Sequence, residues 1–135
     1  MGNVKKCLVI DDDTDDQELF ELALSDLGLG IDCATAYNGI EGLEYLRSNS
    51  FPDIIFLDLN MPKMNGMECL KELKSDLRLK EIPVVILSTS TNTVHQAEAL
   101  NLGAIQFVIK PSSTAELTTI LAGIFMPIQN LNINR

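Results

Sequence analysis

Short apolar runs alternate with longer amphipathic stretches along the whole chain. The runs Lys6–Ile10, Asp32–Ala36, 53–58, Val84–Ser88 and 105–109 predict strands. Several are unbroken Val/Ile/Leu sequences without polar alternation, the pattern of strands buried on both faces of a parallel sheet. Helices are predicted between them, over 15–27, Gly39–Ser48, 65–75, 93–102 and 114–125. Leu117, Ile120, Leu121 and Ile124 lie on one face of the last, and Ser113 with Glu116 three residues on reads as a capping box. Gly28 and Gly30 close the first helix and Gly103 the fourth, while Pro52 and Pro83 stand just before strands, where a missing N–H is tolerated. The expected architecture is an α/β, (βα)5 doubly wound five-stranded parallel sheet. Residues 1–127 make one domain and 128–135, polar and Asn-rich, a short frayed tail.

Composition narrows the function. With 135 residues, 46% apolar and 21% charged, the chain holds one core. Ten basic residues against nineteen acidic give a net charge of −9, with no Lys/Arg stripe to replace counterions, so no direct nucleic-acid partner is expected. No apolar run nears the ~18–20 residues that span a bilayer. Gly2 follows Met1, but Lys6 stands where a myristoylation signal needs Ser or Thr. No membrane contact and a cytoplasmic location are expected. Cys7, Cys33 and Cys69 are widely spaced beside apolar residues and, with His95 the sole histidine, read as small core side chains rather than a metal or redox site.

Chemistry gathers where strands end. The first strand runs into Asp11-Asp12-Asp13, the third closes on Asp58, the fourth on Ser88-Thr89-Ser90-Thr91, and the fifth on Lys110-Pro111. A doubly wound sheet brings these ends to one edge, where such folds bind ligands. Clustered carboxylates repel and raise the pKa of at least one unless a cation joins them. Oxygen ligands without His or Cys favour Mg2+. An ionised Asp can attack phosphorus, and a metal with a lysine suits the charge on the equatorial oxygens. A transferred phosphoryl group, adding about −1.5 to −2 charge, would draw Lys110 and Ser88 into new contacts. Such a site doubles as a switch.

The segments Val9-Ile10-Asp11-Asp12-Asp13, Asp53-Ile54-Ile55-Phe56-Leu57-Asp58-Leu59-Asn60-Met61-Pro62-Lys63-Met64-Asn65-Gly66 and Phe107-Val108-Ile109-Lys110-Pro111 resemble, in order and spacing, the receiver domains of two-component response regulators. The resemblance covers almost the whole chain. It implies a flavodoxin-like fold with strand order 2-1-3-4-5, an order the family supplies as a known example. It further implies that Asp58 is the phosphoacceptor. Asp12, Asp58 and the Asn60 backbone carbonyl would hold Mg2+, with Asp11 acting through a water. Lys110 would bind the phosphoryl group, the Lys110–Pro111 bond would be cis, Ser88 would be the switch hydroxyl and Phe107 the switch aromatic. Three positions depart from the family's habit: Ser88 replaces Thr, Thr89 replaces Ala or Gly beside the phosphoryl site, and Phe107 replaces Tyr. The implied function is that of a stand-alone receiver, phosphorylated by a histidine kinase or histidine phosphotransfer protein. It would signal to an unnamed downstream protein through the fourth helix, fifth strand and fifth helix, without turning over a separate substrate.

A haloacid-dehalogenase-type phosphatase needs Asp-x-Asp-x-Thr/Val after the first strand, and Asp15 breaks that pattern. A phosphorylation-independent scaffold is suggested only by Thr89. An EF-hand fails, because Asp16 replaces the turn glycine and Leu22 the terminal glutamate. Asp13, Asp15 and Asp16 read as charges at the first helix's N-terminus, where negative charge complements the dipole, rather than as further ligands. His95 reads as a partly exposed helix residue. Met61, Met64 and Met67 suit packing and docking equally well, and Lys63, Lys71, Lys74, Arg78 and Lys80, interleaved with acids, read as a solvated face.

Overall fold

The computed structural model describes residues 4–48, 50–61 and 64–133, with side chains as far as Met126. The element order is β1 (Lys6–Ile10), α1 (Thr14–Leu27), β2 (Asp32–Ala36), α2 (Gly39–Ser48), β3 (Ile54–Asp58), α3 (Gly66–Ser75), β4 (Val84–Ser88), α4 (Thr93–Asn101), β5 (Gln106–Ile109) and α5 (Thr114–Ile133). All strand pairs are parallel, in the order β2-β1-β3-β4-β5. The order implied by the family resemblance is the one observed.

Side chains alternate across each strand, so the sheet feeds two cores. Leu8, Ile10, Ile55, Leu57, Val84 and Ile86 pack with Leu43, Leu46, Leu70, Leu73 and Ala99 of α2, α3 and α4. Cys7, Val9, Ile54, Phe56, Val85 and Leu87 face α1 and α5 through Phe20, Leu24, Leu117, Leu121 and Phe125. Phe56 bridges the second core, its ring centroid 4.9 Å from Phe20 and 5.7 Å from Phe125. Every residue of β3 and β4 is buried, whereas the edge strands β2 and β5 are only partly covered. The unbroken apolar runs thus mark the sheet's centre.

Local signals position the elements. Asp13 caps α1 by accepting from Asp16 N, and Gly28 ends it in the left-handed region at φ 63°. Asn65 and Glu68 form a reciprocal capping box on α3, and Ser113 Oγ accepts from Glu116 N. Asp53, expected within β3, instead clips the start of β1, its carboxylate accepting from Lys5 N at 2.8 Å and Lys6 N at 3.1 Å.

Two expectations are corrected. The helix predicted to stop at Phe125 continues as α5 to Ile133, across Pro127, in the segment expected to be a frayed tail. Proline removes one i→i−4 bond but leaves the rest of the ladder available. The Lys110–Pro111 bond is trans, not cis. Trans is the lower form of an X–Pro bond by ~0.5–1 kcal/mol, and Lys110 N donates to Ser88 O at 2.8 Å with the bond in that form.

The three cysteines are free and packed into these cores, and burial pushes the Cys69 thiol up to about 12. Met61 is buried, and Met64 and Met67 are partly buried against the same core. Pro62 and Lys63, like Met1 and Gly2, lie outside the described residues.

Candidate phosphoryl site

Register brings the strand ends together. Ile10 pairs with Leu57, which sets Asp11 level with Asp58 on the adjacent strand. Asp58 pairs with Leu87, and Ser88 with Ile109, so Ser88 and Lys110 close the far side. The edge that carries them is the C-terminal edge of the sheet.

Lys110 Nζ is the hub. It lies 2.9 Å from Asp11 Oδ2, 2.7 Å from Asp16 Oδ2 and 3.6 Å from Asp58 Oδ1. Asp11 is fixed twice over, since its Oδ1 accepts from Asp13 N at 2.9 Å. Asp58 Oδ1 accepts a long bond from Asn60 N at 3.4 Å. Burial pushes the Asp58 carboxyl up to about 6; Lys110 opposes the shift, and the charges of Asp11 and Asp12 add to it. Burial also raises Asp11, against the pull of Lys110. For Lys110 burial works the other way, but its hydrogen bonds to Asp11 and Asp16 outweigh it and hold the ammonium above its usual range.

Asp11, Asp12 and Asp58 each offer a carboxylate oxygen, all within 4.8 Å of one another. Asp11 and Asp58 are buried and Asp12 is exposed. Among the described residues one lysine, shared with Asp16, faces this group, which leaves excess negative charge. An all-oxygen donor set with such an excess fits a hard divalent cation.

The remaining predicted residues take clear places. Ser88 is fully buried and its Oγ accepts from Ser90 N at 3.1 Å. Thr89 is exposed at the rim, and Phe107 is half-buried against the α2–α3–α4 core. Asn60 is exposed and borders, with Leu59, Met61, Asn65, Met67, His95 and Glu98, an open groove beside the acceptor loop. His95 itself is exposed, its Nδ1 3.3 Å from Ser90 Oγ.

Two site residues escaped the sequence reading. Asp16 was assigned to the helix N-terminus, yet its carboxylate reaches Lys110. Gln17 is buried, its Nε2 donating to Asp11 O at 2.8 Å and Ala36 O at 2.9 Å, which locks the β1–α1 turn to the end of β2. The signal for Gln17 was present: it shares the inward face of α1 with Phe20 and Leu24, at i, i+3 and i+7. A polar residue on that face needs internal partners.

Known proteins give the same reading. The family model for the response regulator receiver domain matches residues 7–122. The chain belongs to the response regulator receiver family. This receiver domain is 35% identical over 106 residues to chemotaxis protein CheY1 of Helicobacter pylori, covering 78% of this chain and 85% of that one. It is similar to the phosphorylated cyanobacterial phytochrome response regulator RcpA, with a TM-score of 0.83, 37% identity and coverage of 90% and 91%. It also resembles the Mn2+-bound form of response regulator Rcp1, with a TM-score of 0.80, 28% identity and coverage of 89% and 91%. Receiver domains bind a divalent metal and are phosphorylated by histidine kinases, and the acidic cluster of this one fits both properties. Among the described residues, no helix is long and apolar enough to cross a membrane.

Proposed function

We propose that Asp58 is the phosphoacceptor of this receiver domain and that phosphorylation there switches its protein contacts. The observation that carries the reading is the position of Lys110, its ammonium 3.6 Å from Asp58 and 2.9 Å from Asp11 at one sheet edge. The donor is a histidine kinase or a histidine phosphotransfer protein. An Asp58 carboxylate oxygen attacks phosphorus, the P–N bond to the donor imidazole breaks, and its electron pair stays on the imidazole nitrogen. Asp12 and Asp58, with the Asn60 carbonyl and Asp11 through a water, would hold Mg2+, and the bound cation supplies neutralising charge. Lys110 binds a phosphoryl oxygen and Ser88 offers a hydroxyl to another, with Thr89 bordering the entry.

The change travels outward through β4 and β5. Moving Ser88 and Lys110 would repack Phe107, and Val94, Leu100, Ile105 and Ile109 already form exposed apolar positions on the α4–β5 side. A downstream protein reads this α4–β5–α5 face, in the cytoplasm. The domain turns over no separate substrate. Asp11 is poorly placed as the nucleophile of a phosphatase, because both its oxygens are engaged, by Lys110 and by Asp13 N.

Labelling with a radioactive small-molecule phosphodonor and Mg2+ tests the reading. The unmodified chain is expected to take up phosphate and Asp58→Asn to lose it. Undiminished labelling of the variant would remove Asp58 from the role.

A further inference from the structure

The Lys110 ammonium has three hydrogens to give. Its shortest contact is with Asp16, at 2.7 Å, followed by Asp11 at 2.9 Å, while Asp58 stands at 3.6 Å. The first two are hydrogen bonds and the third is only an ionic contact. The ammonium therefore stands off Asp58, drawn toward α1. Asp16 lies outside the three-carboxylate metal group, and its one hydrogen-bonding cation is Lys110, though its charge also reaches Asp11. It is also fixed in place. Its backbone N donates to Asp13 Oδ1 at 3.0 Å, and the next residue, Gln17, is tied to Asp11 and Ala36. The Asp16 backbone therefore cannot follow Lys110 if the lysine moves.

We propose that Asp16 is a positioning residue that holds Lys110 back from Asp58 in the resting protein and so weakens capture of a phosphoryl group there. The inference rests on the reading of Asp58 as acceptor. A phosphoryl group on Asp58 claims the third hydrogen, and as the ammonium swings off α1 to reach it, the bond that lengthens is the one to Asp16. The Asp16 side chain is 36% exposed and can be rehydrated, whereas that of Asp11 is only 5% exposed and cannot. Breaking the Asp16 bond is thus a fixed cost of phosphorylation. It also leaves an unpaired charge on the first turn of α1, so that helix end registers the event.

Beryllofluoride, a non-covalent phosphoryl analogue, provides the test. It is titrated into the full chain in saturating Mg2+ and followed by amide chemical shifts. Asp16→Asn is expected to bind it roughly two- to fivefold tighter than the unmodified chain, the range of a half-exposed ion pair. Asp16→Glu, which keeps the charge within reach of Lys110, should restore unmodified affinity. Asp15→Asn controls for bulk charge, since Asp15 is an exposed acid on the same turn. Equal tightening by Asp15→Asn overturns the proposal, as does unchanged or weaker binding by Asp16→Asn. Failure of the unmodified chain to bind beryllofluoride overturns the acceptor reading and this inference with it.

Discussion

Lys110 and Asp11 are ninety-nine positions apart in the chain, yet their side chains meet at 2.9 Å. The contact joins the end of the last strand to the end of the first, and Asp58 at the end of β3 lies beside it. One cation thereby faces three carboxylates, and the electrostatics of that imbalance govern how the domain should respond to pH, metal and mutation.

Asp58 gives the first prediction. Its carboxyl titrates near 6 in the folded chain and near ~3.9 unfolded. Between those values the native state holds a proton that the unfolded chain has released. Stability should therefore fall as pH rises from about 4 to 6 and stay lower above that window, by on the order of 2–3 kcal/mol from this group. Asp58→Asn removes the cost, so it should be more stable than the unmodified protein at pH 7 and no more stable near pH 4. Urea denaturation across this range checks the sign. A variant less stable at pH 7 would mean that Lys110 already neutralises Asp58 in full.

Metal acts on the same imbalance. A divalent cation that binds the folded carboxylates but not the unfolded chain stabilises by mass action, about 1.4 kcal/mol at a tenfold excess over Kd. Mg2+ should raise the urea midpoint at pH 7, and Asp12→Ala, which removes an exposed carboxylate of the cluster, should abolish most of that gain. Equal gains in both proteins would place the cation elsewhere.

Gly66 sets two effects against each other. Alanine in the first turn of a helix is favoured over glycine by up to ~1 kcal/mol. A Cβ at Gly66, however, would overlap the Asp58 carbonyl oxygen and Leu59 Cα, backbone atoms with little freedom to yield. Gly66 N also donates to Leu59 O at 2.9 Å, which holds the acceptor loop closed on α3. Sterics should win. Gly66→Ala is expected to destabilise by more than about 2 kcal/mol and to weaken Mg2+ binding, both measurable by denaturant titration with and without the cation.

Gln17→Leu keeps the bulk of the side chain but removes its two hydrogen bonds. The carbonyls of Asp11 and Ala36 then lose a buried donor, at a cost of about 1–3 kcal/mol. Thermal unfolding should show the loss. Mg2+ affinity should fall too, since the turn carrying Asp11 and Asp12 is then held to β2 by the single bond from Asp11 N to Ala36 O. A variant with unchanged stability would show that water replaces the amide.

The sequence by itself determined a great deal here, because the relevant signals are local. Val/Ile/Leu runs announce buried parallel strands, Ser113 announces a helix start, and Gly28 announces an end; those elements stand close to where they were expected. The resemblance in the strand-end motifs likewise placed Asp11, Asp12, Asp58, Ser88 and Lys110 on one edge, since parallel strands joined by helices leave no other arrangement. What only the tertiary structure decided is how one lysine divides itself among its acids. Asp15 and Asp16 are equivalent in a sequence, neighbouring carboxylates in the first turn of one helix. The seating of α1 on the sheet, through Phe20 on Phe56 and Gln17 on Asp11 and Ala36, brings Asp16 to Lys110. Helix packing angles and side-chain distances arise from contacts between distant segments, so local pattern leaves them open. The fold and its acidic pocket were written in the hydrophobic pattern and the strand-end residues; the balance of forces on Lys110 was written in three dimensions.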